Sequence, residues 1–437
     1  MKMERMELKK KIYGGIIGLT VADALGVPVE FESREYLTQN PVTGMLGYGT
    51  YNQPPGTWSD DTSLTLCLLD SLIAGLDYTD IMNKFIGWEN KGEYTAHGRV
   101  FDIGGTTRAA LNQFSKGTEP LLCGGRGESD AGNGSLMRIL PLAFYLYSVY
   151  GDNFTENTEA FDVIHNVSSL THANKRCLIS CGIYISIAGR LLAGSEIKEA
   201  IQSGLQSAKK YYESKSEYRT ELTHFERIFS SDFMNLPQET IKSGGYVVDS
   251  LEAAIWCILN TDNYQSCVLK AVNLGGDTDT VAAIAGGLAG IGYDIGSIPE
   301  EWLNQIARLT YIKEICSDFY VSLHESSLQK LCSYISFFET AEPDIAYHYT
   351  PEGKFGEFLD DFQRSGMASY NYVITMNKIS VGNLKSIENA DLETLAAFLT
   401  GCIRAEDLCT GMWSHYIENG VFLAILRRLE VLLQAES

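Results

Sequence analysis

The 437-residue sequence has few basic residues for its length. It contains 34 Lys and Arg against 55 Asp and Glu, which gives a formal net charge of −21, and no block of Lys or Arg occurs. Bulk electrostatics therefore argue against a nucleic-acid partner and against a membrane surface. A small anionic ligand is still compatible with this charge, because bound cations can invert the local field.

Paired cysteine motifs are also absent. The ten cysteines are scattered through apolar helical segments, and no CxxC pair occurs. This spacing is typical of reduced thiols in a cytoplasmic protein and not of a disulfide framework or a zinc site. The charged N-terminus MKMERMELKKKIYGG lacks the apolar region of a signal peptide. The longest apolar stretches, 177–193 and 281–293, are interrupted by Arg190 or by glycines, so we expect no membrane span and a cytoplasmic location.

Strand signals are sparse, and helical periodicity dominates the first three quarters of the chain. Apolar residues recur at i, i+3 and i+4, and Gly, Asp, Asn or Pro separates many of the periodic segments. We therefore predict an all-α fold. The predicted helices cover residues 11–26, 62–76, 105–115, 135–150, 172–194, 196–213, 248–260, 264–274, 280–292 and 300–316.

The composition changes near residue 320. From residue 328 onward Tyr and Phe are concentrated and Gly-rich turns disappear, and the chain ends in amphipathic helices. This change predicts a first domain over 1–322 and a smaller, mainly helical C-terminal domain over 328–437. Residues 214–247 are polar and poorly periodic, and they are predicted to form a long connection with at most one helix.

Two carboxylates stand side by side in GTWSDDTSLTLCLLDSL, just before an apolar helix. The simplest interpretation is helix capping, because Ser, Thr and Asp accept hydrogen bonds from a first helical turn. One Asp would suffice for a cap. Asp60 and Asp61, flanked by Ser59 and Thr62, also form a cluster of the hard oxygen ligands that divalent cations prefer.

The second acidic motif, GGDTDT at 275–280, again precedes an apolar helix. If the fold brings the two helix starts together, they supply only carboxylate and hydroxyl oxygens, a set that favours Mg²⁺ or Mn²⁺ over zinc. The attraction of the metal would offset the repulsion between the carboxylates. The predicted ligands of one or two cations are Ser59, Asp60, Asp61, Asp277, Asp279 and Thr280.

A third segment, GGIIGLTVADALGVPVEF at 14–31, places Asp23 within an otherwise apolar helix. A carboxylate there is costly without a partner. Glu30 follows the predicted helix end, where a loop could direct it into a site. Without the other motifs, Asp23 would be interpreted as a satisfied polar core group and Glu30 as an exposed loop residue.

These motifs resemble those of the ADP-ribosylglycohydrolase family, which includes the dinitrogenase reductase-activating glycohydrolases. The resemblance rests on ADALGVPVEF, GTWSDDTSLTLCLLDSL, GGTTRAAL, GNGSLMRILPLAFY, THANKRC and GGDTDTVAAIAGGLAGIGYD, in the family's order from residue 11 to about 316. It does not cover the C-terminal domain. Two departures are small: Ala22 and Ser59 stand where relatives commonly have Gly and Thr.

The resemblance implies a compact orthogonal multi-helix bundle with a centre of two Mg²⁺ ions, or Mn²⁺ in their place, that hydrolyses the bond between ADP-ribose and an acceptor. It assigns the two acidic motifs to the metals and Glu30 to gating or acid–base work beside them. Asp60 or Asp61 would accept a proton from the attacking water, with assistance from Glu30. The residues implied to contact the ligand are Gly132, Asn133, Gly134, Ser135, Met137 and His172.

A glycine-containing loop at a helix start suits a diphosphate, because backbone N–H groups and the helix dipole favour an anion. The same letters also fit a plain helix-entry turn.

Several functional alternatives stay open at this stage. The substrate implied by the resemblance is an ADP-ribosylated protein side chain such as arginine, or a small ADP-ribose conjugate. The alternatives are a catalytically silent ADP-ribose-binding or structural module and a metal-dependent hydrolase of a free nucleotide. Retention of all the metal-motif carboxylates favours the enzyme, because a silent relative has no need to maintain their repulsion. The C-terminal domain is a candidate for binding a protein partner.

Overall fold

A computed structural model of the chain describes residues 5–342, 353–365, 367–369, 372–376 and 384–436. Within these residues the protein is all-α, as predicted. The only strand-like pairings there are isolated bridges: Tyr48 with Gln53, Gly125 with His172, and Gly132 with Tyr246. The chain divides into two compact units between Tyr320 and Val321.

The helices of the first unit carry all the motifs considered above. Those found among its described residues are α1 (Arg5–Gly26), α2 (Arg34–Gln39), α3 (Asp60–Ile73), α4 (Tyr78–Lys91), α5 (Gly105–Ser115), α6 (Pro141–Tyr150), α7 (Thr158–Ser169), α8 (Lys175–Leu192), α9 (Ile197–Ser214), α10 (Val247–Leu259), α11 (Tyr264–Val272), α12 (Thr278–Tyr293), α13 (Glu300–Leu303) and the start of α14 (Leu309–Cys332).

Most predicted helices lie within a few residues of observed ones, with two exceptions. The helix predicted over 135–150 begins only at Pro141, because proline favours the first helical position and residues 134–138 form turns instead. The helix predicted over 300–316 is interrupted, with α13 ending at Leu303 and α14 starting at Leu309. Helices α2, α4 and α7 had not been predicted. Residues 214–247 contain only short 3₁₀ turns before α10.

Close packing of α1 against α12 fixes the position of the second acidic motif. A Cβ added at Gly14 would lie 2.2 Å from the Gly290 carbonyl oxygen, and one at Gly26 would lie 2.3 Å from the Asp279 Cα. Only glycine allows backbones to approach this closely. The C-terminal end of α1 therefore lies directly against the first turn of α12.

The second unit has an aromatic core of its own. Its helices in the described part are the rest of α14, α15 (Ile335–Thr340), α16 (Lys354–Arg364), α17 (Tyr372–Met376), α18 (Leu384–Glu388), α19 (Leu392–Leu408), α20 (Met412–Glu418) and α21 (Val421–Glu436). The ring of Phe338 stacks on Phe422 at 5.3 Å and meets Phe358 edge-on at 4.9 Å. The concentration of aromatic residues noted in the sequence thus builds a hydrophobic core. Part of that aromatic segment, 343–352, lies outside the described residues.

By length and composition alone, one described segment, Glu7–Val29, is long and apolar enough to cross a membrane. However, 94% of its most apolar window is buried inside the protein. Such burial is also found in the core helices of globular proteins.

Candidate metal centre and ligand cleft

The buried carboxylate of Asp23 caps the helix that carries the first acidic motif. Its oxygens accept hydrogen bonds from the Ser59 backbone N–H at 3.0 and 3.1 Å, from the Thr62 N–H at 3.1 Å and from the Thr62 hydroxyl at 2.6 Å. These donors are among the groups that a helix start leaves without partners. Asp23 is therefore a satisfied buried group, and it sets where α3 begins.

The two acidic motifs meet through a hydrogen bond between hydroxyl and carboxylate. The Thr280 hydroxyl donates to Asp61 Oδ2 at 3.2 Å, and the Ser59 hydroxyl donates to the same oxygen at 3.1 Å. Asp60 and Asp61 lie in the first turn of α3, and Asp279 and Thr280 lie in the first turn of α12. The fold thus brings together the helix starts that the sequence suggested would meet.

Asp277 is held by the glycine-containing loop of residues 132–137. The Asn133 amide donates to Asp277 Oδ2 at 2.8 Å and to the Ser250 hydroxyl at 2.9 Å. The Asp277 N–H in turn donates to the Ser243 carbonyl at 2.8 Å. Asn133 therefore links the predicted ligand loop directly to a predicted metal ligand.

Glu30, Asp102 and Asp279 form a second carboxylate group at the same place. One oxygen from each lies within 4.8 Å of the other two. Burial raises the pKa of both Glu30 and Asp102, and the neighbouring Tyr51 hydroxyl opposes that shift in each; Asp60 also lies beside Asp102. Sequence reasoning missed Asp102, although residues 102–104 immediately precede α5 and the adjoining GGTTRAAL was one of the family-like motifs.

Arg34 is a further positioning residue that the sequence did not reveal. Its guanidinium donates to the carbonyls of Leu274 at 2.8 Å, Gln238 at 2.7 Å and Ile241 at 2.6 Å. It therefore ties the chain before the second acidic motif to the connection that precedes α10. No periodicity marks a residue whose partners are mostly backbone oxygens, with the Ser243 hydroxyl at 3.3 Å as the exception.

Burial and mutual repulsion disfavour ionisation of Glu30, Asp60, Asp61 and Asp279. Burial raises the pKa of Glu30 to about 8, and nearby carboxylates, including Asp102 and Asp277, push it in the same direction. The pKa values of Asp60, Asp61 and Asp279 are well above the usual range for the same two reasons. Asp23 also has a raised pKa, about 6, because burial outweighs its hydrogen bonds.

The residues present fit a divalent-cation site. Glu30 Oε2, Asp61 Oδ1 and Asp277 Oδ1 are buried and have no hydrogen-bond partner within the described residues. Orphaned carboxylate oxygens are costly in a protein interior, and a hard cation coordinated by oxygens would satisfy them. The donors are carboxylates and hydroxyls only, which suits Mg²⁺ or Mn²⁺.

His172 packs against the glycine-containing loop. A Cβ at Gly134 would lie 2.8 Å from His172 Cε1, and one at Gly132 would lie 3.6 Å from its Nε2. The ring is buried, burial lowers its pKa to about 3, and its Nδ1 lies 2.8 Å from the Thr171 hydroxyl. His172 is therefore neutral at physiological pH, and its ring supports the loop by packing against Gly132 and Gly134.

The remaining predicted ligand residues are also buried. Ser135 accepts a hydrogen bond from the Ser168 hydroxyl at 2.9 Å, and the Met137 N–H donates to the Asn133 carbonyl at 3.1 Å. The Met137 N–H is thus used within the turn, whereas the Asn133 amide makes the hydrogen bond from the loop to Asp277.

The first unit is thus an all-α bundle in which a cluster of buried carboxylates and hydroxyls lies between two helix starts, beside a glycine-containing loop. The ADP-ribosylglycohydrolase family model matches residues 4–329. The chain belongs to the ADP-ribosylglycohydrolase family and is an enzyme of the glycohydrolase class. Residues 349–435 match a family of unknown function, DUF6508.

Named relatives agree with this assignment. The chain is 33% identical to an ADP-ribosylarginine hydrolase, Tri1, of Serratia proteamaculans over 318 residues, which cover 72% of this chain and 80% of the relative. It is 30% identical to the ADP-ribosyl-[dinitrogen reductase] glycohydrolase of Rhodospirillum rubrum, with 67% and 89% coverage respectively. A solved structure titled ADP-ribosylglycohydrolase-related protein complex superimposes with a TM-score of 0.59 at 28% identity, covering 73% of this chain and 99% of that chain.

Proposed function

We propose that this enzyme hydrolyses the bond between ADP-ribose and an arginine side chain of a modified protein, using two Mg²⁺ ions, with Mn²⁺ as an alternative. The observation that carries the metal part is the Thr280–Asp61 hydrogen bond, which joins the two acidic motifs. The arginine acceptor is supported by relatives from Serratia proteamaculans and Pseudomonas putida that are named ADP-ribosylarginine hydrolases.

In this mechanism the cations are held by Ser59, Asp60, Asp61, Asp277, Asp279 and Thr280. When bound, they supply Lewis-acid chemistry that lowers the pKa of a water and orients ribose hydroxyls. Asp60 or Asp61 accepts a proton from the attacking water. Glu30, beside the Tyr51 hydroxyl, assists in proton transfer at the bond that breaks.

The glycine-containing loop binds the ADP-ribose part of the substrate in this proposal. Asn133 holds the loop to Asp277 at 2.8 Å, so a diphosphate on Gly132, Gly134 and Ser135 would lie beside the carboxylate cluster. His172 keeps the loop in shape through its contact with Gly134. The buried carboxylates and the ligand loop thereby form one continuous site.

The test is release of ADP-ribose from arginine-, serine- and O-acetyl-linked substrates, each with Mg²⁺, with Mn²⁺ and with a chelator. We expect metal-dependent release from the arginine linkage. Asp61→Asn should abolish release, whereas Asp232→Asn, at an exposed turn remote in sequence from every motif, should leave it intact. Release that persists in chelator would refute the metal role, and ADP-ribose binding without release from any linkage would favour a silent module.

We also propose a cellular location for the protein and a role for its C-terminal unit. A cytoplasmic location accords with the ten free cysteines. Binding of a protein partner by the C-terminal unit would account for a second compact unit outside the family match. Deleting residues 328–437 should then change substrate preference or assembly while leaving hydrolysis of a small arginine conjugate intact.

A further inference from the structure

Arg138 is a fully buried cation directly after the ligand loop. Some arginines of this unit pair with glutamates, such as Arg176 with Glu128 and Arg190 with Glu156. No ion pair of Arg138 occurs among the described residues. An unpaired buried charge is expensive, so its presence beside a site that binds charged groups calls for a physical reason.

The contacts of the Arg138 guanidinium are all with uncharged groups. Nη1 donates to the Gly134 carbonyl at 2.6 Å and Nη2 donates to the Val167 carbonyl at 3.2 Å. The guanidinium also lies over the Phe85 ring, 5.0 Å from its centroid, while Nε has no hydrogen-bond partner in the described part of the chain. The fork formed by the two Nη donors therefore fixes the loop backbone. Within the part of the chain that the structure describes, the positive charge has no carboxylate in hydrogen-bond contact.

The charge of Arg138 interacts with Asp60 of the first acidic motif and with His172 beside the ligand loop. Burial lowers the pKa of Arg138 to about 10, and the thiols of Cys181, Cys177 and Cys67 and, to a smaller extent, the Asp60 carboxylate act in the opposite direction. Arg138 in turn opposes protonation of His172, whose pKa is lowered mainly by burial. In a low-dielectric interior, a charge without a counter-ion influences groups beyond its own contacts.

We propose that Arg138 is a positioning residue with an electrostatic role: its fork holds Gly134 so that the ligand loop is preformed, and its buried charge favours the anionic diphosphate while opposing cation binding at the carboxylates. This inference rests on the proposed function, because it takes ADP-ribose and a divalent cation as the ligands of the site. The charge would keep the cation affinity moderate and make the diphosphate more attractive to the same cleft.

A purely structural role makes a different prediction. If Arg138 only packed the loop against Phe85, its loss would loosen the site and weaken the binding of both ligands together. The electrostatic role instead requires opposite effects, because removing a positive charge attracts cations and repels anions. The sign of two binding changes therefore separates the two accounts.

The experiment uses the full chain with Arg138→Met, Arg138→Gln and Arg138→Lys. Mn²⁺ affinity is measured from the free-ion EPR signal, and ADP-ribose affinity is measured by calorimetry at saturating Mg²⁺. The two neutral variants should bind Mn²⁺ about three- to tenfold more tightly and ADP-ribose at least about tenfold more weakly. Arg138→Lys keeps the charge and loses the fork, so it should weaken ADP-ribose binding and should not tighten Mn²⁺ binding.

Weaker or unchanged Mn²⁺ binding in both neutral variants would overturn the inference. If Arg138→Met does not fold, the shorter Arg138→Gln, which keeps an amide donor, carries the test. Wild-type protein that binds neither ADP-ribose nor Mn²⁺ would instead refute the proposed function. Wild-type binding of both without opposite shifts in the variants would refute only the role of Arg138.

Discussion

The Thr62 hydroxyl lies 2.6 Å from Asp23 Oδ2, and this hydrogen bond joins the interior of the first helix to the first turn of the helix that carries Asp60 and Asp61. Asp23 therefore supports the metal motif without belonging to it. A single buried carboxylate determines how α1 and the acidic helix start are oriented, and the position of the predicted metal ligands depends on it.

Asp23→Asn should destabilise the protein and weaken its cation site. The amide offers one acceptor oxygen in place of two and presents donors to the Ser59 and Thr62 N–H groups, so we expect the free energy of unfolding to fall by about 2–3 kcal/mol. Urea unfolding in chelator measures this change, and Mn²⁺ titration measures the site. Asp232→Asn is the control, and a variant as stable as wild type would contradict the capping role.

Neutralising Glu30 should stabilise the metal-free protein at high pH. Burial raises the pKa of Glu30 to about 8. The contribution of this shift to the free energy of unfolding is therefore fully present below the ordinary carboxyl pKa near 4 and is lost as pH rises through about 8. In chelator, Glu30→Gln should match wild type near pH 4.5 and have the higher Tm at pH 8. Thermal unfolding at pH 4.5 and at pH 8 tests this expectation, and a lower Tm for Glu30→Gln than for wild type at pH 8 would contradict it.

Gly26→Ala should disturb the second acidic motif from outside it. The added Cβ would lie 2.3 Å from the Asp279 Cα, so α1 or α12 has to shift. We expect a loss of about 1–3 kcal/mol in the free energy of unfolding together with weaker Mn²⁺ binding. Gly296→Ala, where an added Cβ meets nothing within 4 Å, should change neither quantity. Equal behaviour of the two variants would contradict the packing argument.

Asp102→Asn tests the residue that the sequence did not identify. One of its carboxylate oxygens lies within 4.8 Å of oxygens from Glu30 and Asp279, so it contributes negative charge to the cation site. By analogy with residues that support metal ligands, Mn²⁺ affinity should fall about 10- to 100-fold. An EPR titration measures this affinity. Asp130→Asn, in the loop before Gly132, is the matched control, and unchanged Mn²⁺ binding in Asp102→Asn would place that carboxylate outside the site.

Most of the longer helices of the first unit and the acidic motifs could be predicted because periodicity and local spacing encode them, whereas α2, α4 and α7 were missed. The sequence also suggested that Asp61 and Thr280 would meet, and the fold brings them into hydrogen-bond contact. Asp102 and Tyr51 escaped prediction because each is a single polar residue in an irregular segment, with no repeat to mark it. The hydrogen-bond partners of Asp23 depend on how α1 packs against α3, and a single sequence does not show that packing.

The start of α6 illustrates a related difficulty. The apolar run after GNGS has helical periodicity, yet the helix begins only at Pro141 because the preceding residues turn to place Gly134 and Arg138. Propensity favoured a helix there, and tertiary contacts determined the outcome.

The packing of α1 against α12 joins the first helix of the first unit to one of the last helices of that unit to be synthesised. Asp61 and Asp277 are 277 − 61 = 216 residues apart, which at common translation rates corresponds to roughly 10–40 s on the ribosome. During that interval the glycine face of α1 has no partner helix, and Asp60 and Asp61 have no second motif beside them. The newborn chain therefore cannot assemble its complete carboxylate cluster until α12 has emerged, so any truncation before α12 yields a product without that cluster.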